Sequence, residues 1–168
     1  MIRQKQLRLL VLSALFAAAI TIVTAYLLHV PLPTGGYVHL GDALIYLAAC
    51  LLPAPYAIGA AIVGAGLADL LTAPLWVIPT ILVKALVVLP FTGRQEKILC
   101  RRNLMGVAAA GLISPVAYGI AACVLLGGWA AFLPQFVGTL VQAVGSSLVF
   151  IPLAAALDRV GLKKRIAA

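Results

Sequence analysis

Charge is scarce in this sequence, and acidic charge is scarcest. Only 4 of 168 residues are Asp or Glu, against 12 Lys or Arg, and charged residues amount to 10%. A soluble globular domain carries about a quarter. Hydrophobic residues make up 64% and the mean hydropathy is +1.17. A chain of this length can bury an ordinary core in water but cannot also hide so much apolar surface. Lipid must cover part of it.

The equipment of several enzyme classes is missing too. There is no P-loop, so the chain does not hydrolyse ATP itself. There is no HExxH, no acidic cluster for metal-dependent chemistry, and no Ser or Cys nucleophile with a suitably spaced His. Cys50, Cys100 and Cys123 are odd in number and far apart, which excludes a disulfide framework or a metal-ligand pair and leaves them as small apolar fillers. No cofactor is implied. A long gated pore and two inverted halves with broken helices are also absent.

What charge there is has a pattern. Arg3, Lys5 and Arg8 precede the first apolar run, Arg94, Lys97, Arg101 and Arg102 share one polar gap, and Arg159, Lys163, Lys164 and Arg165 close the chain. Every basic residue except Lys84 therefore flanks an apolar segment, the positive-inside pattern, which predicts cytoplasmic N- and C-termini. No basic face with aromatic or polar readers accompanies them, which argues against nucleic acid.

A span needs about 20 apolar residues. The runs predict six transmembrane helices in a compact bundle, an all-α polytopic membrane protein in a single domain, 1–168. The expected spans are 7–29, 39–53, 56–72, 75–93, 104–126 and 134–157. The first is too long for the apolar region of a cleavable signal, about 7–15 residues. Pro53 and Pro55, then Thr72, Ala73 and Pro74, then Gly127 and Gly128 mark joints. Ala14 and Ala18 in the first span, and Ala60, Gly64 and Ala68 in the third, repeat small residues at the spacing that lets helices approach closely in lipid.

Ionisable groups inside a span cost about 2.5–3.5 kcal/mol at its centre and mark functional sites by default. Here they share the non-basic half. Asp42 opens the second span, Asp69 closes the third, and Lys84 lies about 13 Å into the fourth. His39, Asp42 and Tyr46 fall on about one helical face, and Thr80 and Lys84 are an i, i+4 pair. Gln135, Thr139, Gln142 and Ser146 form one stripe along the sixth span. Together they describe a polar chamber in the outer half of the membrane, with rings of Tyr46 or Trp76 to stack on a ligand. Structural readings stand beside this one. Asp69 and Lys84 can form a neutralising pair, Asp42 can cap its helix, His39 can be a boundary residue, Tyr37 and Trp76 fit an interfacial aromatic belt, and the stripe can serve interhelical bonding. The loop 31–38, with its prolines and Gly35, Gly36 and Tyr37, suits a lid over the chamber.

The stretch Gly-Gly-Tyr-Val-His-Leu-Gly-Asp-Ala-Leu-Ile-Tyr-Leu-Ala-Ala at 35–49, with Gly-Leu-Ala-Asp-Leu-Leu at 66–71 and Trp76, Thr80, Val83 and Lys84, resembles the substrate-binding S components of energy-coupling factor (ECF) transporters. The resemblance implies a six-helix protein in the plasma membrane of a prokaryote. It would capture a small vitamin-like compound from outside for import powered by a transmembrane coupling (T) protein and two cytoplasmic ATPases. It also implies that Ala14 and Ala18 form the coupling surface. The 35–49 segment looks nearest to hydroxymethylpyrimidine- or pyridoxine-type branches. The outer loop lacks the tryptophan and glutamate of thiamin binders. Two other readings compete: a structural or assembly subunit whose polar stripes pair with partner helices, and a membrane enzyme using Asp42, His39 and Asp69 on a lipid-linked substrate.

Overall fold

A computed structural model of the chain describes residues 2–27 and 29–167. Met1, Leu28 and Ala168, which the expected domain includes, lie outside the described residues, as does that part of the first expected span. The architecture is an all-α bundle: α1 (Ile2–Tyr26), α2 (Asp42–Leu51), α3 (Ala54–Thr72), α4 (Val77–Val88), α5 (Arg101–Leu126), α6 (Phe132–Arg159) and the short α7 (Leu162–Ala167). A two-stranded hairpin, β1 (Val30–Pro31) and β2 (Tyr37–Val38), precedes α2. Helices α1, α3, α5 and α6 are long and apolar enough to cross a membrane, while α2 and α4 are shorter apolar helices.

The second expected span is where the structure departs most from the sequence reading. Instead of 39–53, α2 runs only over Asp42–Leu51, about 15 Å of helix, half of a hydrocarbon core of about 30 Å. Pro53 ends it, and residues 39–41 arrive as a turn. It is buried on all sides, touching α1, α3, α4 and α6, as expected of a helix apolar all round. Because α2 starts halfway along the bundle, the space above it is left to the hairpin and to side chains of its neighbours. That vacated half is where the polar residues collect.

Helix α1 lies along α3. Ser13 Oγ donates to the Tyr56 carbonyl at 2.8 Å and Thr21 Oγ1 to the Gly64 carbonyl at 2.9 Å. Both pairs are 43 residues apart, so the two helices run in the same direction. Gly64 is needed for this approach: a Cβ there would come within 2.7 Å of the Ala17 carbonyl oxygen. The small residues of the third span, Ala60, Gly64 and Ala68, are thus buried in internal packing. Ala14 and Ala18, each next to a residue of that packed face, are exposed.

The three basic clusters meet at one end. Arg8 donates to the Arg165 carbonyl, and Lys163 Nζ to the carbonyls of Gly93 and Gln95. The connection 89–100 at this end is pinned to the helices. Asn103, fully buried at the start of α5, accepts from the Thr92 amide and donates to the Thr92 and Ile98 carbonyls. Asp158 accepts from the amides of Ile98 and Leu99 at 2.7 and 2.9 Å.

Candidate functional site

At the opposite end, α2, α3, α4, α5 and α6 converge beneath the hairpin. The centre of the cluster is an ion pair: Lys84 Nζ donates to Asp42 Oδ1 at 2.7 Å, and both side chains are 1% exposed. Gln142 Nε2 donates to the second carboxylate oxygen, Asp42 Oδ2, at 2.9 Å, while Gln142 Oε1 accepts from the His39 amide. The Lys84 ammonium also lies 5.2 Å from the Tyr118 ring centre, a cation–π contact. A buried charge needs such complete pairing because leaving it alone costs several kcal/mol.

One helical turn above, a second tier lines a cavity. Its wall is made by Gly36, Tyr37, Asp69, Trp76, Thr80, Tyr118, Gln135, Thr139 and Gln142. The Tyr37 hydroxyl donates to Asp69 Oδ1, Thr80 and Tyr118 share a hydrogen bond of 2.7 Å, and Thr34 donates to Gln135 Oε1. Gln135 Nε2 in turn donates to Thr139 at 3.3 Å. The indole Nε1 of Trp76 is buried with no hydrogen-bond partner among the described residues. Such an orphan donor in a cavity wall is a vacancy in the bonding pattern that an acceptor can fill.

The cavity measures about 20 Å³, room for a single water. Pockets for organic ligands run to about 300–1,000 Å³. The open chamber expected from the sequence is therefore shut, and the hairpin is what shuts it. Leu32 packs so closely on α6 that a Cβ on Gly138 would fall 2.6 Å from its Cδ1. Gly36 reaches Trp76 and Gln135, and Gly35, exposed at the tip, takes φ 75° to turn the chain.

The structure brings Asp69, Trp76, Thr80, Gln135, Thr139 and Gln142 together on the cavity wall, with Gly36 and Tyr37 of the loop. Asp42 and Lys84 lie one layer deeper, joined to the wall through Gln142. His39 is buried beside them, its Nδ1 accepting from the Gly41 amide. Tyr46 is placed elsewhere. It stacks on Phe91 with ring centres 5.2 Å apart and meets the edge of Phe150, inside the apolar core, because one turn beyond Asp42 already lies below the cavity floor. Two structural alternatives also change. Lys84 pairs with Asp42 rather than Asp69, and Asp42 makes no side-chain cap, Gly41 being the N-cap. Sequence reasoning missed Tyr118 and Thr34. Tyr118 had a signal, a hydroxyl-bearing ring in mid-span four residues after Ser114.

Against this geometry stands the comparison with known families. A family model described as the ECF-type riboflavin transporter, S component, matches residues 4–159. The chain belongs to that family. S components are subunits of membrane transporters, not enzymes, and work with a T protein and ATPases in the ECF complex. The S-component resemblance drawn from residues 35–49 and 66–84 is thereby borne out at the level of the family. Nearness to hydroxymethylpyrimidine or pyridoxine branches gains no support from it, since the description names riboflavin. No curated protein matches the chain.

Proposed function

We propose that the chain is the subunit that captures a small heteroaromatic, vitamin-like compound on the outer side of a prokaryotic plasma membrane, for import powered by a T protein and two cytoplasmic ATPases. One observation carries the reading: a buried set of one amine, two carboxylates, two amides and an unpartnered indole N–H converges beneath a loop, at the end away from the basic clusters. The same clusters orient the bundle with its termini in the cytoplasm and the loop outside.

The ligand enters as the loop 31–38 lifts, since this loop carries both Leu32, set against Gly138, and Gly36, set against Trp76. Trp76 Nε1 and Gln142 Nε2 then serve ring nitrogens or carbonyls, Asp69 accepts ring N–H groups, and Trp76 and Tyr118 supply faces for stacking. Lys84 and Asp42 hold the floor. A ring with alternating donors and acceptors suits these groups, and riboflavin, which the family description names, is the first compound to try.

The test is thermal unfolding of the detergent-purified protein with riboflavin, pyridoxine and hydroxymethylpyrimidine. A saturable rise in midpoint with one of them, abolished by Trp76→Leu, is expected. No rise with any compound, or a rise that survives Trp76→Leu and Gln142→Leu alike, contradicts the reading.

The exposed face of α1 supplies the second half of the proposal. Ala14 and Ala18 are exposed and leave a shallow strip where another helix can approach. This strip receives the coupling protein. Ala14→Trp with Ala18→Trp should release a co-purifying coupling protein while leaving ligand stabilisation intact.

A further inference from the structure

A second cavity lies at the basic end, far from the closed site. It is a groove of about 600 Å³ lined by Arg101, Arg102 and Gln95 on one side and by Pro90, Met105 and Ala109 along its length. We infer that this groove is a binding site for one anionic glycerophospholipid, its phosphate on Arg101 and Arg102 and an acyl chain along Met105 and Ala109.

Three features lead there. The first is charge placed against local preference. The first turn of a helix favours acidic residues, because its free amides make it positive. The first turn of α5 holds no acidic residue and no side-chain cap, and starts instead with two arginines. Among the described residues neither arginine has an ion-pair partner. A bound anion resolves the conflict, and a phosphate offers the oxygens that both guanidinium groups and the free amides need.

The second is depth. Helix α5 has 26 residues and spans about 39 Å, several ångströms beyond a hydrocarbon core of about 30 Å at each end. Its first residues sit among headgroups. Met105 and Ala109, one and two turns further, lie beside acyl chains. The groove therefore changes from cationic to apolar at the level where a phospholipid changes from headgroup to tail, the arrangement of basic interhelical pockets that hold anionic lipids.

The third is that the groove is built. Its Gln95 wall belongs to the connection 89–100, which Lys163, Asn103 and Asp158 hold by backbone hydrogen bonds. These bonds hold the connection at the edge of the groove, where Pro90 and Gln95 line it.

The test uses the full chain in detergent, with phosphatidylglycerol, phosphatidylcholine of the same acyl chains, or inorganic phosphate added. Phosphatidylglycerol should raise the thermal unfolding midpoint more than phosphatidylcholine, and phosphate alone should not reproduce the rise. Arg101→Gln with Arg102→Gln should abolish the difference between the two lipids. Ala109→Phe, which leaves both charges in place and obstructs the acyl end, should reduce it independently, so the inference is testable even where the double variant folds poorly. Equal shifts with both lipids, or a difference that survives both variants, overturns it. A rise fully reproduced by phosphate assigns the arginines to a free anion instead. Loss of a co-purifying coupling protein in the double variant, with the lipid difference intact, makes the groove a protein dock and overturns the lipid site.

Discussion

Two irregular stretches of similar length close the two ends of this bundle, 29–41 at one and 89–100 at the other, and they are fastened in opposite ways. At the basic end the helices hold the connection by its backbone: Asn103, Asp158 and Lys163 bond amides and carbonyls of residues 92–99. At the other end the loop is held through side chains, Thr34 on Gln135 and Tyr37 on Asp69, with one backbone amide on Gln142. The partners of the first loop lie outside the cavity wall. The partners of the second are the cavity wall itself, so whatever binds there competes for, or replaces, the bonds that keep the loop shut. On the proposed function, one joint is structural and the other is exchangeable.

Breaking the floor of the exchangeable end should have the largest effect. Lys84→Met leaves the Asp42 carboxylate buried without its cation and should cost about 3–5 kcal/mol in thermal unfolding. Adding Asp42→Leu should recover part of that loss, because the pair rather than either charge is what folding tolerates. If the single variant unfolds like wild type, the pair does not hold α2 to α4.

Asn103→Ala strikes the structural joint. It orphans the Thr92 amide and carbonyl and leaves the Ile98 carbonyl only the Cys100 amide, and should destabilise by about 3 kcal/mol while the affinity of the folded fraction for ligand stays unchanged. Tyr37→Phe is the matching cut at the other end. It leaves Asp69 short of a donor, costs about 1–3 kcal/mol, and should speed ligand dissociation more than it lowers stability. A faster off-rate in Asn103→Ala, or none in Tyr37→Phe, would erase the distinction between the two ends.

The smallest effect sharpens the comparison through pH. Partial burial holds the Lys163 ammonium below the usual lysine range. The unfolded chain therefore binds that proton more readily than the folded one. Stability conferred by this group rises as pH increases through the alkaline range where the folded lysine loses its proton. Solvent reaches the side chain, so the slope is shallow. Lys163→Gln should flatten it, as read from unfolding midpoints across alkaline pH.

Much of the candidate site, as the cavity wall and its floor group it, was legible in the sequence because its signal is a matter of depth. Asp69, Thr80, Lys84, Gln135, Thr139 and Gln142 are polar in otherwise apolar runs, and lipid leaves such residues only inward directions. The stripe on α6 follows directly from helical periodicity. The length of α2 was not legible, since 39–53 reads as one apolar run while nothing local says that the hairpin must occupy its outer half. That error carried Tyr46 into the expected site, because a longer α2 would have raised it to the cavity. The identity of the Lys84 partner was hidden as well: Asp42 and Asp69 stand at similar depth, and only the packing of α2 against α4 chooses between them. The sequence reading does not single out Asn103 and Asp158, because their backbone bonds belong to a loop with no periodicity to read.

Hydrogen exchange of the detergent-purified protein, with and without riboflavin or whichever of the tested compounds raises its midpoint, addresses the central claim. Saturating ligand should slow exchange of the amides at 32–41 and at the start of α2 and leave 92–99 as they are. Protection confined to the basic end, or spread evenly over both, would contradict a ligand site beneath the hairpin.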